Sequence, residues 1–278
     1  LGLPMVAVGF MYPQGYFIQS INEHGWQEEN YQLLNFDETP LKRVLNAQGS
    51  PVIAHVKLAD AEIALGAWLV RVGCTDVYLL DADLDENPSP YRHISDRLYN
   101  ADPAIRLQQE MVLGVGGVRV LRALGIQPSV WHMNEGHTAF MVLERVRELV
   151  ELGATFDEAC RRARAATVFT THTPVAAGHD VFSTELLQTY FGDKWDSLGI
   201  SSEALFKLGQ VGPEDAGHFN MTALALKMSD RRCGVSQLHG EVSRRMWHGL
   251  WPDLPEADVP ISHVTNGVHI ASWISPDI

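Results

Sequence analysis

The chain has 278 residues, of which 46% are hydrophobic and 20% charged, so it is neither disordered nor of low complexity and can bury a sizeable core. The 34 acidic residues outnumber the 21 basic ones, and the net charge of −13 predicts no binding to nucleic acid or to an anionic membrane. No apolar stretch approaches the length that spans a bilayer. The three widely spaced cysteines predict no disulfide framework and favour a reduced, cytoplasmic protein.

Short β-branched stretches alternate along the chain with longer helical patterns. The predicted strands are Met5–Phe10, Val52–Leu58, Ala67–Val72, Val77–Leu80, Ser129–His132, Thr167–Thr171 and Ile261–Val264. The predicted helices are Ala104–Leu124, His137–Leu152, Phe156–Ala166, Thr184–Tyr190, Glu203–Leu208, Met221–Ser229 and Ser236–Trp247. The alternation predicts an α/β domain with a mostly parallel sheet and flanking helices. Residues 81–100 and 174–220 are weakly periodic and predict long connections, and no linker divides the chain into two domains.

Two motifs come close to known ligand signatures without meeting them. Gly114, Gly116 and Gly117 approach the dinucleotide fingerprint, but Arg119 stands at its third glycine position and the segment lies inside a helical pattern. We therefore predict that these glycines let a helix pack closely against its neighbours. The histidines and carboxylate of residues 132–137 do not have the spacing of the zinc-binding motifs, so we predict no metal site there.

Polar side chains follow three of the predicted strands. They are Asn134, Glu135 and His137 after the first, the turn of residues 170–173 after the second, and the stretch of residues 265–269 after the third. Because parallel strands end at one edge of a sheet, these groups are expected to share a site. Hydroxyl, amide and imidazole groups suit a neutral polyol such as a sugar. The alternative is that Asn134 and Glu135 only cap the next helix.

Together with further segments, these turns resemble the α-glucan phosphorylase family (glycogen, starch and maltodextrin phosphorylases), in its bacterial and archaeal branch. The matching segments occur in the family's order and are Gly25–Glu29, Asp96–Tyr99, Arg106–Arg119, Trp131–His137, Phe169–Pro174, Met228–Gly240 and Thr265–Gly267. The resemblance implies the GT-B architecture, in which two Rossmann-like domains face each other across a cleft. Residues 1–278 would form most of the amino-terminal domain, without the glycine-rich loop that precedes Leu1 in the family. The carboxyl-terminal domain, whose lysine binds pyridoxal phosphate, would lie outside the chain.

The resemblance also implies a reaction. In this family, phosphate attacks the terminal α-1,4 bond of glycogen, starch or maltodextrin and releases glucose 1-phosphate with retention of configuration. The phosphate of pyridoxal phosphate takes part as a proton-transfer or electrostatic group. His172 would be the catalytic-site residue of this chain, with its ring on the 6-hydroxyl of the glucosyl unit. The chain alone would be inactive, and the full-length protein could form a homodimer.

By the same resemblance, the substrate-binding residues are Asn134, Glu135, His137, His172, Cys233, Asp102, Arg106 and Asn266. Asp102 and Arg106 would lie in or beside a mobile loop that gates the cleft, and Asn266 at the edge of the cleft. Cys233 departs from the family, which usually has Asn before Gly234 as a partner of the 6-hydroxyl.

Two alternatives share parts of this pattern. One is a nucleotide-sugar glucosyltransferase of the glycogen or starch synthase type, which has the same architecture and needs a nucleotide pocket in its second domain. The other is a non-catalytic module that binds glucan and carries no surface for a second domain.

Overall fold

The structure is a computed structural model that describes residues 2–14, 17–97, 100–270 and 274–275, with the side chains of residues 37 and 193–195 left out. Its strands are β1 (Val6–Phe10), β2 (Ile18–Ile21), β3 (Gln27–Asn30), β4 (Lys42–Arg43), β5 (Ala54–Leu58), β6 (Ala61–Val72), β7 (Thr75–Asp81), β8 (Trp131–Asn134), β9 (Thr167–Thr170), β10 (Val181–Ser183), β11 (His218–Asn220), β12 (Arg231–Gly234) and β13 (Ser262–His263). Its α-helices are α1 (Ser89–Arg92), α2 (Pro103–Met111), α3 (Gly117–Ala123), α4 (Phe140–Glu151), α5 (Phe156–Ala165), α6 (Thr184–Phe191), α7 (Ser202–Phe206), α8 (Met221–Lys227) and α9 (Gln237–Met246).

Residues 6–81 contain a mixed sheet. Its strand order is β1-β7-β6-β4, and β5 also pairs with β6. Only β1 and β7 are parallel, since β6 runs antiparallel to β4, β5 and β7. Val72 pairs with Thr75, so the hairpin between β6 and β7 turns at Gly73, whose φ of +61° favours glycine. The prediction of a mostly parallel sheet is therefore wrong for this part of the chain.

A second sheet has the order β13-β12-β9-β8, and all of its strands run parallel. Helix α9 packs against β12 and β13, and helix α4 packs against α5. The predicted α/β domain with a parallel sheet and flanking helices is confirmed here. An antiparallel pair, β10 and β11, interrupts the predicted connection of residues 174–220.

The segment Pro103–Ala123 lies between the two sheets. The sequence predicts one helix over Ala104–Leu124, whereas the segment runs from α2 through a π-helical stretch, Val112–Gly116, into α3. A methyl group on Gly114 would lie 2.6 Å from the amide nitrogen of Met141 in α4, and one on Gly116 would lie 2.4 Å from Leu65 in β6. These glycines thus allow close packing on both sides, which confirms their predicted role.

One hydrophobic core joins both sheets and the helices between them. Phe140, Phe169 and Phe219 are among its largest fully buried side chains. None of the helices in the described part of the chain is both long and apolar enough to cross a membrane.

Candidate functional site

The strands of the parallel sheet end side by side, and backbone hydrogen bonds join the turns that follow them. The amide of Glu135 donates to the carbonyl of Thr170 (2.9 Å), and the amide of Thr171 donates to the carbonyl of Cys233 (3.0 Å). The amide of Asn266 donates to the carbonyl of Val235, which follows β12 (3.1 Å). The polar turns of the sequence therefore lie at one edge of the sheet, as the strand order requires.

Glu135 links the first of these turns to the second. Its φ of +67° is rare for a residue with a side chain. Its carboxylate accepts hydrogen bonds from the backbone amides of His172 and Thr173, the latter at 2.7 Å. Its side chain makes no capping bond to the 3₁₀ turn Gly136–Thr138 that follows. The carboxylate therefore faces the turn after β9, and the structure does not support helix capping as its role.

The position of Glu135 depends on its neighbour. A methyl group on Gly136 would lie 2.7 Å from the hydroxyl oxygen of Thr222 and 3.0 Å from its amide nitrogen. Only a glycine allows helix α8, which begins at Met221, to approach the turn this closely.

Three histidines lie close together around these turns. The His172 imidazole is exposed at the end of β9. Burial and the neighbouring His172 lower the pKa of His132, and burial lowers the pKa of His137 despite the carboxylates of Glu135 and Asp180. The lowered pKa values favour the neutral form of both rings. Each neutral ring offers one donor and one acceptor, which suits a hydroxyl-bearing ligand.

Cys233 lies in β12 beside β9. Its sulfur is 3.3 Å from the hydroxyl of Thr170, and that hydroxyl is 2.7 Å from Nε2 of His132. The half-buried thiol is thus part of a polar row that crosses three strands. Asn134 and Asn266 both present exposed side chains at the ends of the outer strands.

Arg106 and His137 line a separate cavity next to the turns, of about 100 Å³. Nη2 of Arg106 lies 2.6 Å from Oδ2 of Asp180 and 3.9 Å from Oε1 of Glu110. Glu110 is only 3% exposed, and burial, followed by the charge of Asp180, raises its pKa well above the usual value. The structure therefore places a buried carboxyl group, whose neutral form is favoured, beside this ion pair.

The predicted residues fall into groups. Asn134, Glu135, His137, His172 and Cys233 lie on or beneath the joined turns, and Asn266 lies on the last of them. Asp102 caps helix α2 by accepting a bond from the amide of Ala104 (2.8 Å), while Arg106 faces the cavity. Of the matching segment Asp96–Tyr99, residues 98 and 99 lie outside the described part of the chain.

Sequence reasoning missed His132, Glu110 and Asp180 as members of the site. One signal was available: Glu110 lies between Leu107 and Met111 on the apolar side of a predicted helix, where a carboxylate is unusual. Asp180 gave no such signal, because it lies 74 positions from Arg106 in an irregular connection. Within the described residues, no group of three or more His, Cys, Asp or Glu side chains could hold a metal ion.

A parallel α/β sheet with polar turns at its carboxyl edge defines a class of ligand-binding domain. Comparison with known proteins narrows that class. The chain is 42% identical to the glycogen phosphorylase of Mycobacterium tuberculosis over 289 aligned positions, which cover 99% of this chain and 33% of that protein. It is 39% identical to the maltodextrin phosphorylase of Thermococcus litoralis and 38% identical to the glycogen phosphorylase of Aquifex aeolicus, with full coverage of this chain and 33% and 40% of those proteins.

The predicted resemblance is therefore confirmed, and the chain is a homologue of the α-glucan phosphorylases along its whole length. It spans about a third of the length of the M. tuberculosis and T. litoralis relatives. No protein-family model matches the chain.

Proposed function

We propose that the chain is the amino-terminal domain of an α-glucan phosphorylase of GT-B architecture. In this proposal, the longer protein catalyses the reversible phosphorolysis of terminal α-1,4 bonds in glycogen, starch or maltodextrin. The observation that supports it most is the joining of four strand-end turns around His172, in a chain similar to phosphorylases over its whole length.

The reaction breaks the bond between C1 of the terminal glucosyl unit and the oxygen of the next unit. A phosphate oxygen forms the new bond to C1, and the shortened glucan leaves with a proton on its 4-hydroxyl, so the products are glucose 1-phosphate and glucan. The transition state resembles an oxocarbenium ion, and well-placed dipoles lower its energy. His172 would bond the 6-hydroxyl, and the neutral rings of His132 and His137 would bond further hydroxyls.

Pyridoxal phosphate does not fit the residues of this site. The cofactor requires a lysine, and the turns of residues 134–137, 170–173 and 233–236 contain none. Lys227, which is partly buried, donates to the carbonyls of Lys207 (2.7 Å) and Gln210 (2.5 Å). In our proposal the cofactor is therefore held by the facing domain of the longer protein, outside this chain.

The other partners follow from the same proposal. They are the α-1,4-glucan, phosphate and glucose 1-phosphate, with a homodimer of the longer protein as its assembly. The three cysteines of the chain all lie in the described part and are free, which supports a cytoplasmic location.

The test is a kinetic comparison in the full-length protein. His172→Ala should lower kcat/KM for maltodextrin phosphorolysis about 5- to 150-fold, the effect of leaving one polar group of the complex unpaired. His24→Ala, which removes an exposed histidine of the β2–β3 hairpin, is the matched control and should have no effect. Wild-type kinetics for His172→Ala would remove this residue from the site. A full-length protein that transfers glucose only from a nucleotide sugar would instead identify a synthase.

A further inference from the structure

One carboxylate oxygen of Glu135 serves three consecutive residues of the next turn. Oε1 accepts bonds from the amide of His172, the amide of Thr173 (2.7 Å) and, more weakly, the hydroxyl of Thr171 (3.4 Å). Bonds from amides to an ionised carboxylate are charge-assisted and stronger than bonds between neutral groups. The main chain on both sides of the His172 imidazole is thus attached to a side chain from the neighbouring strand.

The backbone of Glu135 is held in the conformation that allows this. A φ of +67° is unfavourable for glutamate and persists only where the surroundings fix it. The amide of Glu135 donates to the carbonyl of Thr170 (2.9 Å), and its carbonyl accepts from the hydroxyl of Thr138 (3.0 Å). The next residue, Gly136, packs closely against Thr222. These contacts therefore stabilise an unfavourable φ at Glu135, and in this conformation its carboxylate faces the turn after β9.

We propose that Glu135 is a positioning residue, whose carboxylate fixes the main chain of His172 and Thr173 and so holds the His172 ring in place for the ligand. This differs from direct binding of substrate by the Glu135 charge. The identity of the ligand as a glucan rests on the proposed function. The hydrogen bonds from the main chain of His172 and Thr173 to Glu135 do not depend on it.

Hydrogen exchange of single backbone amides in the full-length protein tests whether the Glu135 carboxylate fixes the main chain of His172 and Thr173. In Glu135→Ala, the amides of His172 and Thr173 should exchange about tenfold faster or more, since each loses its acceptor. The amide of Thr171 is an internal control, because it donates to the carbonyl of Cys233 (3.0 Å) and should keep its rate. In Glu135→Gln the amide oxygen can still accept both bonds, and the rates should lie between those of the wild type and Glu135→Ala.

Unchanged exchange at His172 and Thr173 in Glu135→Ala would overturn the proposal. Equal acceleration at Thr171 would also overturn it, because that result indicates general loosening of the sheet. If Glu135→Ala does not fold, Glu135→Gly decides, because glycine tolerates the φ of +67° and also removes the acceptor. Accelerated exchange at His172 and Thr173 but not at Thr171 supports the role, and unchanged exchange refutes it.

Phosphorolysis kinetics separate positioning from direct binding. A positioning role predicts that Glu135→Ala lowers kcat with little change in KM for glucan, and that Glu135→Gln recovers much of the loss. A Gln variant as impaired as the Ala variant would show that the charge itself is needed and would contradict the proposal. If the wild-type protein shows no phosphorolysis, the proposed function fails, and the exchange rates still decide the role of Glu135 in the turn.

Discussion

The two sheets of this molecule differ in how they use their polar side chains. In the mixed sheet, Asp81 is buried and accepts from Arg43 (2.8 Å) and from the Trp68 indole (2.9 Å). In the parallel sheet, the row formed by His132, Thr170 and Cys233 contains no opposite charges. The first arrangement satisfies polar groups within the sheet, and the second presents neutral donors and acceptors near its edge.

Strand direction contributes to this difference. In the mixed sheet, β6 runs antiparallel to β4, β5 and β7, so its carboxyl end lies at the edge opposite to theirs. The four parallel strands bring all their carboxyl ends to one edge, where the turns of residues 134–137, 170–173, 234–236 and 264–266 meet. The shared direction of these four strands brings the polar side chains of their turns to one place.

The largest expected effect comes from breaking the ion pair beside the parallel sheet. Arg106→Ala leaves Asp180 without its cation next to the buried Glu110, and should lower the free energy of unfolding by about 2–4 kcal/mol. The control is Arg71→Ala, whose ion pair with Asp76 in the mixed sheet is exposed and should change Tm little. Denaturant unfolding of both variants checks this, and equal losses would contradict the contrast between the two regions.

The next effect concerns the helical segment between the sheets. Gly114→Ala places a methyl group 2.6 Å from the Met141 amide nitrogen, and should cost about 1–3 kcal/mol of stability. Gly9→Ala in β1 meets Leu79 at an ordinary 3.5 Å and should cost little. Thermal unfolding compares the two. An unchanged Tm for Gly114→Ala would show that close packing at this position is not needed.

A pH-dependent effect is expected at Glu110. Its pKa in the folded state is raised well above the value of the unfolded chain, so the folded state binds the proton more tightly. Stability should then be greatest below the unfolded pKa, and should be lost progressively as pH rises toward the raised value. Glu110→Gln should remove this loss, with a higher Tm than the wild type at neutral pH and no gain at acidic pH. A parallel dependence of Tm on pH in both proteins would show that Glu110 is not the group responsible.

The smallest expected effect is at Cys233. Its thiol contacts Thr170 at 3.3 Å and is a weak donor and acceptor, whereas an amide offers two donors and a good acceptor. In the full-length enzyme, Cys233→Asn should raise kcat/KM about two- to twelvefold, the value of one neutral hydrogen bond. The gain should vanish with a terminal unit that lacks the 6-hydroxyl. The same gain on both substrates would indicate a packing effect, and no gain on either would end the assignment.

Much of the fold could be predicted because apolar periodicity dominates it. The predicted helices coincide with α4, α5, α6, α8 and α9 to within a few residues. Strand β12 escaped prediction because its sequence begins with two arginines. Arg232 is accommodated by donating to the carbonyls of Leu226 (2.6 Å) and Ser229 and by stacking over Trp251. A charged central strand of this kind has the pattern of a loop.

The sequence groups candidate site residues that lie close together in the chain, and it does not show contacts between residues that lie far apart. The Asn134–His137 and Thr170–Thr173 turns could be recognised because each follows a strand directly. The prediction placed β8 at Ser129–His132, two residues early, because the strand continues through Asn134 with polar side chains exposed on one face. The contact between Glu135 and the next turn needs the three-dimensional strand order, as does the pairing of Arg106 with Asp180.

In the proposed function, glucan binds at the carboxyl edge of the parallel sheet. A structure of the full-length protein with bound maltodextrin and phosphate tests this binding site. We predict that the terminal glucosyl unit lies within hydrogen-bond distance of His172, with the turns of residues 134–137 and 234–236 around it. A glucan seated only against the mixed sheet, or in the cavity bounded by Val56 and Leu198, with the strand-end turns making no contact to sugar, would contradict the account.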